Sequence, residues 1–197
     1  MKDCHIRTAL KRKILSRYAK DPSTLIVDEL GLRHGAARID VAVINGVIHG
    51  FELKSDCDTL NRLPSQVKIY NSVLDRITLV VGNRHLEKGI SLVPDWWGIK
   101  LAEPGARGAI RFTEIRRPQG NPFQDIIAVC KLLWREEAIT LLEELDTAEG
   151  VRWKPRAMIY AKLAEAGDPD LIRSRVRHQL RSRTHWRSAT EQVLSGG

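Results

Sequence analysis

Two β-branched runs, Arg38–Ile44 and Val47–Lys54, flank the dipeptide Asn45-Gly46. An Asn-Gly between such runs is the strongest short-range signal for a β-hairpin. Side chains alternate along a strand, so the register of this hairpin decides which residues share a face. A two-residue loop pairs Ile44 with Val47 and sets Asp40 opposite Phe51, which sends Glu52 to the other side. A three-residue loop, Ile44-Asn45-Gly46 with Gly46 left-handed as a G1 bulge, pairs Val43 with Val47 instead. Asp40 then lies opposite Gly50 and Glu52 opposite Arg38, and the two acids become diagonal neighbours about 7–8 Å apart. The apolar pattern favours the bulged turn. Ile39, Val41, Val43, Val47, Phe51 and Leu53 make one face, Asp40, Glu52 and Lys54 the other, and Gly50 leaves space beside Asp40 for an ion.

The surrounding sequence predicts a helix over 3–19, ended by Asp21-Pro22, and a strand over 25–30 closed by Gly31. After the hairpin, 58–74 reads as a helix interrupted near its start by Pro64. Strands follow over 77–82 and 96–101, separated by a short helix over 84–93, with an edge strand over 108–115. Gln119-Gly120-Asn121-Pro122 reads as a boundary, with Asn121 as N-cap and Pro122 in the first helical position. Beyond it only helices are expected: 123–145 with a break near Leu133, 155–166 and 169–183. The fold class is therefore α/β, with a mixed sheet flanked by helices over 1–118 and an all-α basic region over 119–197.

A chain of 197 residues suits one domain with a helical appendage. No run approaches the roughly 18–20 apolar residues of a membrane span, and the charged N-terminus lacks a signal-peptide core, so a cytoplasmic protein with no membrane partner is expected. Cys4, Cys57 and Cys130 form no CxxC pair, which argues against a zinc ribbon and for reduced thiols. The net charge of +8 points to a polyanionic partner. Residues 151–197 carry ten Lys or Arg against four acids, six of the eight net charges. Within them Arg173, Arg177 and Arg181 fall on one helical stripe, candidates for nucleic-acid contact. Helices 155–166 and 169–183 suit either a helix-turn-helix-like pair or a bundle packed on the core.

Asp40 and the Glu52-Leu53-Lys54 tripeptide carry the chemistry. Hydrolysis of a phosphodiester needs its charge neutralised and a water activated, and a hard divalent cation held by one or two carboxylates does both. Lys54, two residues beyond Glu52, projects from the same strand face. Glu29, near the end of the preceding strand, is a candidate third acid. Gln66 and Tyr70, four apart on the following helix, present their polar tips on one side. Each element alone is weak, since a surface hairpin with scattered charges is common. His34 and His49 read as exposed loop or strand residues, and Trp96-Trp97 as core. No P-loop, dinucleotide or G-x-S-x-G motif is present.

Taken together, these residues resemble the PD-(D/E)xK nuclease superfamily, whose restriction-endonuclease-like core has the order αβββαβ. Gln66-x-x-x-Tyr70 is similar to its RecB-like branch. Gly35–Asp40, Glu52–Asp56, Asp58-Thr59-Leu60, Arg62–Val67, Leu79–Gly82 and Pro94–Gly98 look nearest to one bacterial family within it, over nearly the whole chain. The resemblance implies a DNA-cutting enzyme, in repair or in defence against foreign DNA. Its catalytic residues would be Asp40, Glu52, Lys54, Gln66 and Tyr70, and Glu29, Asp40 and Glu52 would hold Mg²⁺ (Mn²⁺ as surrogate). Arg38 and Lys68 would join the three tail arginines on the nucleic acid. No iron–sulfur cluster is expected, because the necessary cysteines are missing, and no Pro precedes Asp40. A homodimer would suit the cutting of paired strands. The rival readings are a nuclease fold kept as a DNA-binding or partner-recruiting module, and a regulatory protein whose basic tail meets an acidic protein.

Overall fold

A computed structural model describes residues 2–18, 20–183 and 186. The basic-tail residues His185 and Arg187 lie outside the described residues. In chain order the elements are α1 (Asp3–Lys13), β1 (Leu25–Leu32), β2 (Ala37–Ile44), β3 (Ile48–Lys54), α2 (Leu63–Val73), β4 (Arg76–Gly82), α3 (Leu86–Leu92), β5 (Gly98–Pro104), β6 (Ile110–Arg116), α4 (Ile126–Cys130), α5 (Arg135–Glu144), α6 (Arg156–Glu165) and α7 (Pro169–Ser182). The strands form one mixed sheet in the order β1-β2-β3-β4-β5-β6. β1–β2–β3 and β5–β6 pair antiparallel, while β3–β4 and β4–β5 pair parallel, with α2 and α3 as the crossovers. The fold is therefore mixed α/β, and β6 is the edge strand the sequence predicts.

Both faces of the central strands are covered, as parallel pairing requires. On one face Ile6, Ala9 and Leu10 of α1 pack on Val41, Val43, Phe51, Leu53 and Val80. On the other, α2 and α3 join the four C-terminal helices over Ala42, Ile44, Ile77, Leu79 and Ile99. The helical tail shares this cluster: Ile172, Val176 and Leu180 of α7 are fully buried in it, beside Tyr160 of α6 and Val129 of α4. Trp97 is fully buried, with its indole N–H donated to Asn71, so the tryptophan pair belongs to the core, as expected.

Three local expectations are corrected. The hairpin loop is Asn45–Val47, with Ile44 paired to Ile48, and Gly46 is not left-handed. The turn closes through the Asn45 side chain, which accepts the Val47 N–H, while the Asn45 N–H donates to the Val47 carbonyl. The register thus moves by two residues, and Gly50 faces Ala42. A Cβ on Gly50 would stand 2.7 Å from Leu74 Cδ1, so Leu74 and Ile39 fill the space foreseen for an ion. Ile39 accordingly belongs to the α2-side cluster and not with Val41 and Val43. Pro64 opens α2 rather than interrupting it, and residues 55–62 form a loop anchored where Asp58 accepts the Ser55 N–H and hydroxyl. Asn121 does not cap a helix. Its amide donates to the carbonyls of Asn71 and Leu74, and Asp125 caps α4 instead.

Gly98 is where backbone segments meet most closely: a Cβ there would lie 2.8–2.9 Å from Pro118 Cδ, Pro118 N and Thr78 Oγ1. Two of the three are atoms of the Pro118 ring and backbone, which no rotamer change moves aside. Gly98→Ala is expected to destabilise the fold by about 1–3 kcal/mol, read as a lower urea midpoint with unchanged slope.

Candidate active site

β3 pairs with β2 as far as Phe51 and with β4 through Lys54, which sets Glu52 and Lys54 on the face that α2 covers. Both are buried, and Lys54 Nζ lies 2.5 Å from Glu52 Oε1. α2 supplies the rest of the shell. Gln66 donates from Nε2 to Glu52 Oε1 at 2.8 Å and lies 3.0 Å from the Tyr70 hydroxyl. That hydroxyl stands 2.7 Å from Glu52 Oε2 and 2.5 Å from the Arg38 carbonyl, and donates to one of them at a time. Burial first, and then the charge of Glu52, push the Tyr70 pKa above its ordinary value, so the phenol stays a donor. The i, i+4 spacing of Gln66 and Tyr70 therefore delivers both side chains to one carboxylate. Gln66 Oε1 is buried without a hydrogen-bond partner among the described residues.

Asp40 reaches the site differently. The β2–β3 ladder runs only to Val41↔Phe51, and one more step of that register brings Asp40 level with Glu52. There the strands part, and Asp40 Oδ2 accepts the Leu53 N–H at 2.7 Å in place of a main-chain carbonyl. On the far side β1 pairs Asp28 with Val41 and Leu30 with Ile39, so Glu29 stands opposite Asp40 without a ladder pair. The three acids thus line up across β1, β2 and β3. Glu29 has φ of +52°, a left-handed conformation that costs a non-glycine residue energy and recurs at functional sites.

Arg7, which nothing in the sequence pattern singles out, reaches this row from α1. Its guanidinium donates to the Asp40 carbonyl (2.9 Å) and to Asp40 Oδ1 (3.1 Å), and pairs with Glu29 Oε1 at 2.7 Å. Burial would lower the Arg7 pKa, but Asp40, Glu29 and Asp3 outweigh it and the net shift is upward. Asp40 moves strongly: burial, and next the charge of Glu52, push its carboxyl up to about 7 despite the Leu53 N–H, Arg7 and Lys54.

These groups line a cleft of about 850 Å³ with Glu29, Asp40, Glu52, Lys54 and Gln66 on its walls, joined by Arg38 and Arg62. Lys68 is exposed on α2 outside this lining, two residues and roughly 200° round the helix from Gln66. The tail arginines face their own chain. Arg173 donates to Gln124 and pairs with Asp170, Arg177 lies 3.5 Å from Asp75, and Arg181 donates to the Ser23 carbonyl. His49 stacks on Phe51 and bonds Thr78, and burial lowers its pKa to about 3, so it stays neutral away from the cleft. Among the described residues no group of three His, Cys, Asp or Glu converges closely enough to hold a metal alone. No described helix is long and apolar enough to cross a membrane. Cys4, Cys57 and Cys130 form no disulfide among the described residues.

The fold and cleft define an α/β protein with a carboxylate–lysine cluster at the parting of two strands. The chain belongs to the bacteriophage P4 protein cII family, whose profile matches residues 3–193. It is similar to Protein cII of Enterobacteria phage P4, with 40% identity over 55 residues. That match covers 28% of this chain and 21% of the relative, so it spans about a fifth of the relative's length. No solved structure matches the chain.

Proposed function

We propose that this protein is a metal-dependent nuclease of the PD-(D/E)xK type that hydrolyses phosphodiester bonds of DNA. In this reading α1, β1–β3, α2 and β4 form the restriction-endonuclease-like αβββαβ core. The observation that carries it is the alignment of Glu29, Asp40 and Glu52 on adjacent strands, with Lys54 against Glu52 and Gln66 and Tyr70 of α2 fixing that carboxylate.

The residues fit a hard divalent cation. The buried carboxylate of Glu52 and the half-buried one of Asp40, the latter shifted to about 7, match the donor set of Mg²⁺, which takes one or two carboxylates and completes its shell with water and phosphate oxygens. Asp40 and Glu52 would hold Mg²⁺, or Mn²⁺ as surrogate, with Glu29 alongside, and the ion supplies charge neutralisation and a more acidic water. The chain's own groups do the rest. Lys54 Nζ positions the attacking water and offsets charge growing on phosphorus. Gln66 and Tyr70 hold Glu52 in one orientation, and Arg38 and Arg62 on the cleft wall neutralise flanking phosphates. Water attacks phosphorus in line, and the alcohol oxygen opposite departs.

One observation favours a second reading, a DNA-binding module that no longer cuts. Arg7 on Asp40 and Glu29, and Lys54 on Glu52, give each acid a cation from the chain itself. The metal decides between the two. Asp40 has a folded pKa above its unfolded value of about 3.8, so its contribution to stability is present below about 4 and is lost as pH rises towards 7. A bound cation reverses that loss. Mn²⁺ is expected to raise the melting temperature by several degrees at pH 8 and by little at pH 5.5, measured by calorimetry with and without EDTA. An equal shift at both pH values, or none, contradicts a metal held by Asp40 and Glu52.

A further inference from the structure

We infer that a second pocket, adjoining the acidic cleft, binds one phosphate group of the nucleic-acid substrate through Lys131, Arg156 and His34. It lies where the β1–β2 turn meets the α4–α5 junction and the start of α6, and Gly35 lines both it and the cleft. The inference rests on the nucleic-acid reading above but not on catalysis.

The charge of this pocket is one-sided. Lys131, Arg135, Arg156 and Arg183 line it, and no acid does. Arg183 pairs with Glu137 and Arg135 with Glu136. The Lys131 side chain makes no hydrogen bond or ion pair among the described residues, and Arg156 lies near enough to His34 to act with Lys131 in lowering its pKa, after burial. His34 is thereby neutral at physiological pH and offers a hydrogen bond without demanding a counter-charge. The remaining walls are apolar and aromatic, from Leu132, Leu133, Trp134 and Tyr160, which strengthens electrostatic attraction inside.

Size sets the ligand. The volume of about 60 Å³ admits a group the size of a phosphate and falls far below the roughly 300–1,000 Å³ typical of small-molecule sites. The β1–β2 turn also carries three consecutive left-handed residues, Arg33, His34 and Gly35, two of them not glycine. Such conformations persist where surrounding structure enforces them, and here they turn the His34 ring towards Tyr160, 5.4 Å away. Gly35 precedes Asp40 by five residues, a span of at most about 17 Å of extended chain, so a strand lying in the cleft reaches the pocket within a few nucleotides.

The test is fluorescence anisotropy of full-length protein with a labelled short single-stranded DNA in EDTA, which stops cutting, across a salt series. Lys131→Ala/Arg156→Ala is expected to weaken binding about ten-fold and to reduce the slope of log K against log salt by about one to two. Lys131→Glu supplies a single-site variant should the double variant fail to give a wild-type circular dichroism spectrum. Arg111→Ala/Arg117→Ala, on and beside the exposed β6 edge, serves as the equal-charge control and should change affinity less than about two-fold. A loss confined to 5′-phosphorylated DNA assigns a terminal phosphate, and a loss on 5′-hydroxyl DNA as well assigns an internal one; either supports the pocket. Unchanged affinity and slope, a control loss as large, or no binding by the wild type overturns it. Cleavage is read separately: a protein that binds through this pocket but never cuts contradicts the nuclease reading alone.

Discussion

Lys54→Ala and Asp40→Asn should each lower Mg²⁺-dependent DNA cleavage by about three orders of magnitude or more, while DNA affinity in EDTA stays within about two-fold of wild type. The two substitutions fail for different reasons. Asp40→Asn removes a charge the metal needs but keeps an oxygen to accept the Leu53 N–H, so the strand junction survives. Lys54→Ala removes the ammonium beside Glu52 but leaves that carboxylate held by Gln66 and Tyr70. The metal should still bind Lys54→Ala and should bind Asp40→Asn weakly, so manganese titration separates ligand from positioning group. Cleavage at more than a tenth of the wild-type rate in either variant, with its fold intact, assigns the chemistry to other residues.

Glu137→Ala should cost about 3–5 kcal/mol, because it strands a buried guanidinium. The Arg183 side chain is 4% exposed and forms a two-pronged pair with Glu137, at 2.6 Å from Nε and 2.5 Å from Nη2, while donating also to the Leu132 carbonyl. Its guanidinium lies 4.5 Å from the Trp134 ring centre and 4.8 Å from that of Trp186. This cluster ties the end of α7 to α5 and walls the basic pocket. For a chain of this length the loss lowers the melting temperature by on the order of 10 °C. Glu137→Gln, which keeps one acceptor, should cost less. Equal melting of Glu137→Ala and wild type shows that the pair contributes nothing net.

The hairpin shows what could be read from the chain alone. Alternation in Arg38–Ile44 and Val47–Lys54 demanded an even register, because an odd one would bury Glu52 and Lys54 among apolar residues on the α1 side. Alternation cannot separate two even registers, and the choice fell to the turn, where the Asn45 side chain outcompeted a left-handed Gly46. Gln66 and Tyr70 were legible because helical spacing is local. Arg7 was not: its role depends on how α1 crosses β2 and β3, which follows from the packing of Ile6 and Leu10 and not from any motif. The tail stripe was legible as a stripe, while its partners within the chain were not. Arg173, Arg177 and Arg181 do share a side of α7, but that side flanks the buried seam of Ile172, Val176 and Leu180 and meets Gln124, Asp75 and Ser23. The pocket around Lys131 and Arg156 joins segments some 150 residues from His34 at its farthest, beyond the reach of any local pattern.

The most direct test of the nuclease assignment is to incubate the purified chain with linear and circular DNA, single- and double-stranded, in Mg²⁺, Mn²⁺ or EDTA, beside Glu52→Gln. The account predicts cleavage that needs the metal and disappears in Glu52→Gln, with the circular substrates separating internal from end-dependent cutting. Tight, salt-sensitive binding without cleavage under any metal would contradict it and leave the chain as a DNA-binding module built on the same sheet.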